Sequence, residues 1–205
     1  MLNLKSISLV IAGIITLSGC GKTAQKASQT IDLQGNYQTQ SNPQISITEG
    51  IACTRQSMEV SGLNMKIRKV LFEDSKCEGA KIGEVLYDTS FTVGNALPTA
   101  GMREINLTIN SVTITPISDH WLGAVFSGSC HINDAVIGQA RNVSGMDCGA
   151  LGAFPAANQV FFSAYTLEGV NVYFSLLPHE SPENLGTSEA PAKRNLDLKV
   201  LYLKQ

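Results

Sequence analysis

Charge is sparse in this chain. Asp, Glu, Lys and Arg make up 16% of 205 residues, and no basic cluster exceeds the pairs Arg68-Lys69 and Lys193-Arg194. Nucleic-acid binding needs a cation-rich face to displace counterions, so no nucleic-acid partner is expected. Histidine is scarce too, at three residues: His120, His131 and His179. His120 follows Asp119, and His131 stands beside Cys130 and three residues before Asp134. No pair has the spacing of ligands on one helix or strand, so surface or turn histidines are the plainer reading. The motifs C-x-x-C, G-x-S-x-G, H-E-x-x-H and the P-loop are absent. The expectation is therefore no metal, no cofactor, no catalytic residue and no enzyme. Asp74, Asp88 and Asp147, near turns or cysteines, read as caps of local backbone groups. Trp121 is the one tryptophan, and a lone Trp opening an apolar stretch is expected in the core because of the area it buries.

Long apolar runs are also missing. The best, residues 7–17, falls short of the roughly 20 residues a spanning helix needs. It follows the single basic residue Lys5 and closes on Leu17-Ser18-Gly19-Cys20, with small residues just before the cysteine, the order an export signal requires. These four residues resemble a bacterial lipobox, the signature of exported lipoproteins. The resemblance implies removal of residues 1–19 and acylation of Cys20. One acyl chain binds a membrane reversibly, and two or more hold firmly. Gly21, rather than Asp, follows the cysteine, and the resemblance then implies the outer membrane, with the membrane reached through the N-terminal lipid. An ordinary secretory leader that happens to end in Cys is the rival reading.

Without the 19-residue leader, 186 of the 205 residues remain, enough for one domain with a sizeable core. Losing Lys5 leaves 14 basic against 17 acidic residues, a net charge of −3. Residues 20–43, rich in Gln, Ser, Thr and Asn, read as the lipidated cysteine and a flexible tether, although Leu33-Gln34-Gly35-Asn36-Tyr37 already has the character of a first strand. The β-domain is expected over 44–205. Besides Cys20 the cysteines are Cys53, Cys77, Cys130 and Cys148, an even number in an exported chain, which predicts two disulfides. Three pairings are open. Cys53 with Cys77 and Cys130 with Cys148 is favoured, because each bridge then closes a local loop.

The hydrophobic period is two. Ile45 and Ile47 alternate with polar residues, as do Leu63, Met65 and Ile67; a phase slip before Val70 and Phe72 predicts a β-bulge. Val85, Tyr87, Phe91 and Val93 form a stripe opposite Asp88, Ser90 and Thr92. Ile105, Leu107 and Ile109 continue through Val112 and Ile114 until Pro116. Residues 121–126 predict a strand covered on both faces, and Val136, Gly138 and Ala140 a weak one. Glu168-Gly169 reads as a hairpin turn between residues 160–167 and 170–176. Residues 178–195 form a polar loop, and Val200 and Tyr202 belong to the last strand. Eight to ten strands without a convincing helix predict an all-β fold, an antiparallel barrel with a two-sheet sandwich as alternative.

Residues 33–37, Cys53, and Leu71-Phe72-Glu73-Asp74-Ser75-Lys76-Cys77 resemble the opening of small exported bacterial lipoproteins. In these a Gly-x-Trp/Tyr strand precedes two cysteines. Residues 194–197 and 201–203 are similar to the close of the same group, which implies a small lipocalin-like β-domain. Asn106-Leu107-Thr108 and Asn142-Val143-Ser144 match the glycosylation acceptor pattern, without weight in a bacterial exported protein. The functional expectation is a non-catalytic binding or structural module for a small apolar ligand or an envelope protein partner. A surface adhesin or assembly accessory is the alternative, and a hydrolase with an unrecognised site the third.

Overall fold

The computed structural model describes residues 33–39, 42–48, 50–98, 101–123, 129–174 and 200–205; for 42–48, 150 and 200 the backbone alone is described. These residues form ten strands: β1 Gly35–Gln38, β2 Asn42–Thr48, β3 Ile51–Ser61, β4 Asn64–Phe72, β5 Lys81–Ala96, β6 Met102–Pro116, β7 Arg141–Asn142, β8 Val160–Glu168, β9 Asn171–Phe174 and β10 Val200–Lys204. Hydrogen-bonded neighbours run β1, β10, β9, β8, β6, β5, β4, β3 and back to β1. Eight antiparallel strands thus close an up-and-down barrel, which leaves the wall without a free edge over the closed stretch. The sandwich is set aside. Strands β2 and β7 lie off the ring, on β3 and β6.

The expected alternation holds along the two longest strands. On β5, Val85, Tyr87, Thr89, Phe91 and Val93 are buried while Asp88 and Ser90 are half-exposed; on β6, Ile105, Leu107 and Ile109 are fully buried. Facing residues share a side of the sheet, so the pairs Val85↔Ile114, Phe91↔Leu107, Leu107↔Phe161 and Val172↔Tyr202 all point inward. Together they make one contiguous core that also takes in Tyr37, Met58, Met65, Ile67, Tyr165 and Phe174. Each such side chain contributes roughly 1.5–3 kcal/mol by leaving water.

Several expectations are corrected. No bulge separates Ile67 from Val70, because β3 and β4 pair in unbroken register from Cys53↔Phe72 to Ser61↔Asn64. The phase slip has another cause. Lys69 takes an inward position opposite Gln56, and Val70 and Phe72 face outward onto a separate cluster with Cys53 and Cys77. Register shifts elsewhere: beside Phe72, where β5 skips Ile82 between the pairs Leu71↔Gly83 and Phe72↔Lys81; between Val93 and Ala96; and at Asn110, between the pairs Asp88↔Ser111 and Thr89↔Ile109, where the spacing from Ile109 to Val112 breaks the period of two. Trp121 lies in a short helix, α1 (Asp119–Trp121), not in a strand, because Ser118 caps the Trp121 N–H and starts a helical turn. Residues 136–140 are turns, and the short strand there is Arg141–Asn142. The barrel begins inside the segment assigned to the tether: Leu33 is fully buried and β1 starts at Gly35, since Leu33 and Tyr37 supply core surface.

Both disulfides have the favoured pairing. Cys53–Cys77 spans 24 residues with Cα atoms 5.4 Å apart, and Cys130–Cys148 spans 18 with 4.1 Å. The first ties the β4–β5 loop to β3, and the second closes the long β6–β8 connection.

Candidate functional site

Three regions of the barrel offer themselves: its interior, its two ends and its outer wall. The interior is largely apolar, and two of its hydroxyls bond to partners within it. The Tyr202 hydroxyl donates to Gln56 Oε1 at 2.9 Å, and the Thr89 hydroxyl donates to the Met65 carbonyl at 2.7 Å. Burial pushes the Tyr87 phenol well above its ordinary value, so it stays protonated and neutral. An eight-stranded barrel is just wide enough for side chains to fill it, and a contiguous cluster of large buried side chains lines this one.

One end carries the β4–β5 loop and the long β6–β8 connection; we term it the insertion end. There the N–H groups of Ile117 and Ser118 both bond to the Ile82 carbonyl, at 2.9 and 3.1 Å, and lead into α1. The fully buried Trp121 ring lies so close over Gly83 that a Cβ there would sit 2.1 Å from its Cζ3. Glycine at 83 is what lets the indole close this end. On the β4–β5 loop, partial desolvation alone would raise the Asp74 carboxyl. Bonds from the N–H groups of Gly79, Glu78 and Lys76 outweigh it and hold the group below its ordinary value.

The opposite, turn end holds the β3–β4, β5–β6 and β8–β9 connections and the start of β1. Leu33 plugs it. The Gln34 side chain brackets the first turn, donating to the Gly62 carbonyl at 3.1 Å and accepting from the Gly62 N–H at 2.9 Å.

The outer wall over β3–β6 is polar. Register aligns Glu59 with Lys66, Lys66 with Asp88, and Asp88 with Ser111, a row of alternating charge across the strands. A groove of about 430 Å³ runs over it, lined by Glu59, Ser61, Asn64, Lys66, Asp88 and Asn110. A second, of about 210 Å³, shares Glu59 and Lys66 and extends to Asn36, Ser57 and Arg68. Asn110 donates to Asp88 at 3.0 Å, and Arg68 pairs with Glu84 at 2.8 Å. Glu59 and Lys66 form no ion pair among the described residues. The bulge at Asn110 turns its amide into the groove.

The residues singled out from sequence do not come together. His120 and Asp119 are exposed on α1; His131 and Asp134 are exposed on the β6–β8 connection, where Asp134 pairs with Arg141 at 3.2 Å. Asp147 accepts from the Gly149 N–H at 3.0 Å, a local cap as expected. Asp88 is no turn residue; it stands in the middle of β5. The Asn142 side chain accepts from the Ser144 N–H, shaping a turn. Cys20 and His179 lie outside the described residues. Among the described residues, no three His, Cys, Asp or Glu side chains gather as metal ligands, and no helix is long and apolar enough to cross a membrane. Sequence reasoning passed over Glu59 and Lys66 because each is an ordinary outward position of an alternating strand. Only strand register puts them in one row.

No family model matches the chain, and no curated protein matches it.

Proposed function

We propose that the chain is a lipid-anchored envelope protein, acylated on Cys20 and held at the outer membrane, whose barrel is a non-catalytic module for a protein partner. One observation carries the choice between ligand and partner: the core is a contiguous body of large side chains, with Trp121 over one end and Leu33 at the other. An apolar ligand would have to displace that core. The outer wall, in contrast, offers a groove with a carboxylate and an ammonium, Glu59 and Lys66, that form no ion pair among the described residues, in an arrangement suited to polar contacts with a protein surface. The lipobox-like sequence and two disulfides support the envelope address.

The test is a photo-cross-linker placed at Ser61, beside the groove, in the full-length chain in Gram-negative cells. A discrete adduct is expected, lost on Lys66→Glu, while intact mass reports acyl chains on Cys20. An unmodified N-terminus would refute the anchor. A melting temperature that rises with extracted envelope lipids would refute the filled interior. In the adhesin reading, contacts fall on residues 178–195, outside the described residues; protease shaving of intact cells separates the two, since a periplasm-facing protein stays protected.

A further inference from the structure

We propose that the turn end of the barrel is a membrane-contacting surface, with Leu63 and Val170 seated at the headgroup level of the bilayer. This rests on the acylation of Cys20. Two hairpins at this end have the same unusual design. Ser61↔Asn64 and Glu168↔Asn171 each close a two-residue turn whose first residue is a glycine at positive φ, Gly62 at 61° and Gly169 at 62°. Glycine there fits the strand twist, while the second position touches no core and is ordinarily served by a polar residue. Here it carries Leu63 and Val170, which remain 51% and 65% exposed.

Both turns flank the start of β1. Gln34 clasps Gly62 on one side; on the other, Asn171 accepts from the Lys204 N–H at 3.2 Å and the Gln205 N–H donates to the Asn36 carbonyl at 2.9 Å. The chain therefore enters the barrel between its two aliphatic tips. Cys20 and Leu33 are 13 residues apart. As a relaxed coil such a stretch spans about 20 Å, and at full extension roughly 45 Å. The 11 residues of β3 alone are about 36 Å long, more than the relaxed span, so a relaxed tether brings the turn end rather than the insertion end beside the lipid. Partial insertion of aliphatic side chains to the acyl boundary is the ordinary mode of interfacial binding. Of the other exposed aliphatics, Ile117, Val136 and Ile137 belong to the insertion end, where the Gly138 N–H bonds the Pro116 carbonyl, and Val160 stands on the wall opposite Thr108, midway along β6. None of the four is part of this surface.

The test uses the full-length acylated protein, purified from membranes and reconstituted in phosphatidylcholine vesicles with and without acyl-brominated lipid. Leu63→Trp, Val170→Trp and, at the insertion end, Val136→Trp place reporters at exposed positions, and an unchanged melting temperature verifies folding. Brominated lipid is expected to quench the added emission of L63W and V170W and to spare that of V136W and of the native Trp121. Equal quenching of V136W, or no quenching of L63W and V170W in protein that floats with the vesicles, overturns the proposal while the anchor stands. Protein that fails to float and carries a bare Cys20 overturns the anchor, and the proposal with it.

Discussion

Replacing Gly83 by alanine is the sharpest probe of how the barrel is closed. The new Cβ would lie 2.1, 2.4 and 2.6 Å from three carbons of the Trp121 ring. Carbon atoms in contact sit about 3.5–4.0 Å apart, so a displacement on the order of 1.5 Å is forced. The ring is fully buried, and the two N–H bonds to the Ile82 carbonyl hold the segment leading to α1. Overpacking of this kind costs about 1–3 kcal/mol. For a domain of this size that lowers the melting temperature by roughly 2–12 °C. Trp121 is the one tryptophan, so its emission during urea unfolding reports stability and local environment together. G83A is expected to melt earlier, with its native emission shifted to the red. On a Trp121→Leu background the same substitution should cost less, with a coupling of about 0.5–3 kcal/mol between the two sites. Unchanged stability and emission in G83A, or strict additivity with W121L, would refute the account of Trp121 as a plug seated on a glycine.

Three further outcomes follow from the same structure. Removing either disulfide as a Cys→Ser pair should cost about 3 kcal/mol in the chain-entropy model, read as a lower urea midpoint; a variant as stable as the parent would show the bridge to be idle. Tyr202→Phe removes the donor to buried Gln56 and should cost about 1–3 kcal/mol by denaturant titration, with the fold kept in circular dichroism. The Asp74 carboxyl should titrate below the ordinary aspartate value by NMR. Its folded pKa is depressed, so its contribution to stability is present above the unfolded pKa of about 3.9 and lost as pH falls through the folded value. Asp74→Asn should flatten that acid limb, and a normal titration midpoint would contradict the three N–H bonds.

Much of the architecture is legible from local pattern. Alternation through Val85–Val93 and Ile105–Ile109 predicts the inner face, Glu168-Gly169 the β8–β9 hairpin to within one residue of its Gly169-Val170 turn, and the cysteine spacings the local pairing that forms. What escapes depends on contacts distant in sequence. Lys69 breaks its apolar stripe because its inward position faces Gln56 across the sheet, while Val70 and Phe72 find apolar cover beside a disulfide outside the barrel. Trp121 is correctly placed in the core for its size, but its partner, Gly83, lies 38 residues back on another element, so periodicity assigns it a strand it does not occupy. Leu63 looks like one more member of a stripe with Met65 and Ile67. The turn at Gly62 instead leaves it in the open. The groove is the least legible part, since Glu59, Lys66 and Asp88 become neighbours through pairing alone.

Closure of the ring joins segments from the two extremes of the chain: Tyr37 pairs with both Met58 and Lys204, and Gln56 meets Tyr202 across 146 positions. In a chain made from its N-terminus, β10, one of the two partners of β1, arrives after every other strand. Until then the interior stands open along one side, its aromatic rings accessible to water and to neighbouring chains. Closure of the barrel therefore waits on the last strand, and only its pairing with β1 and β9 seals the core.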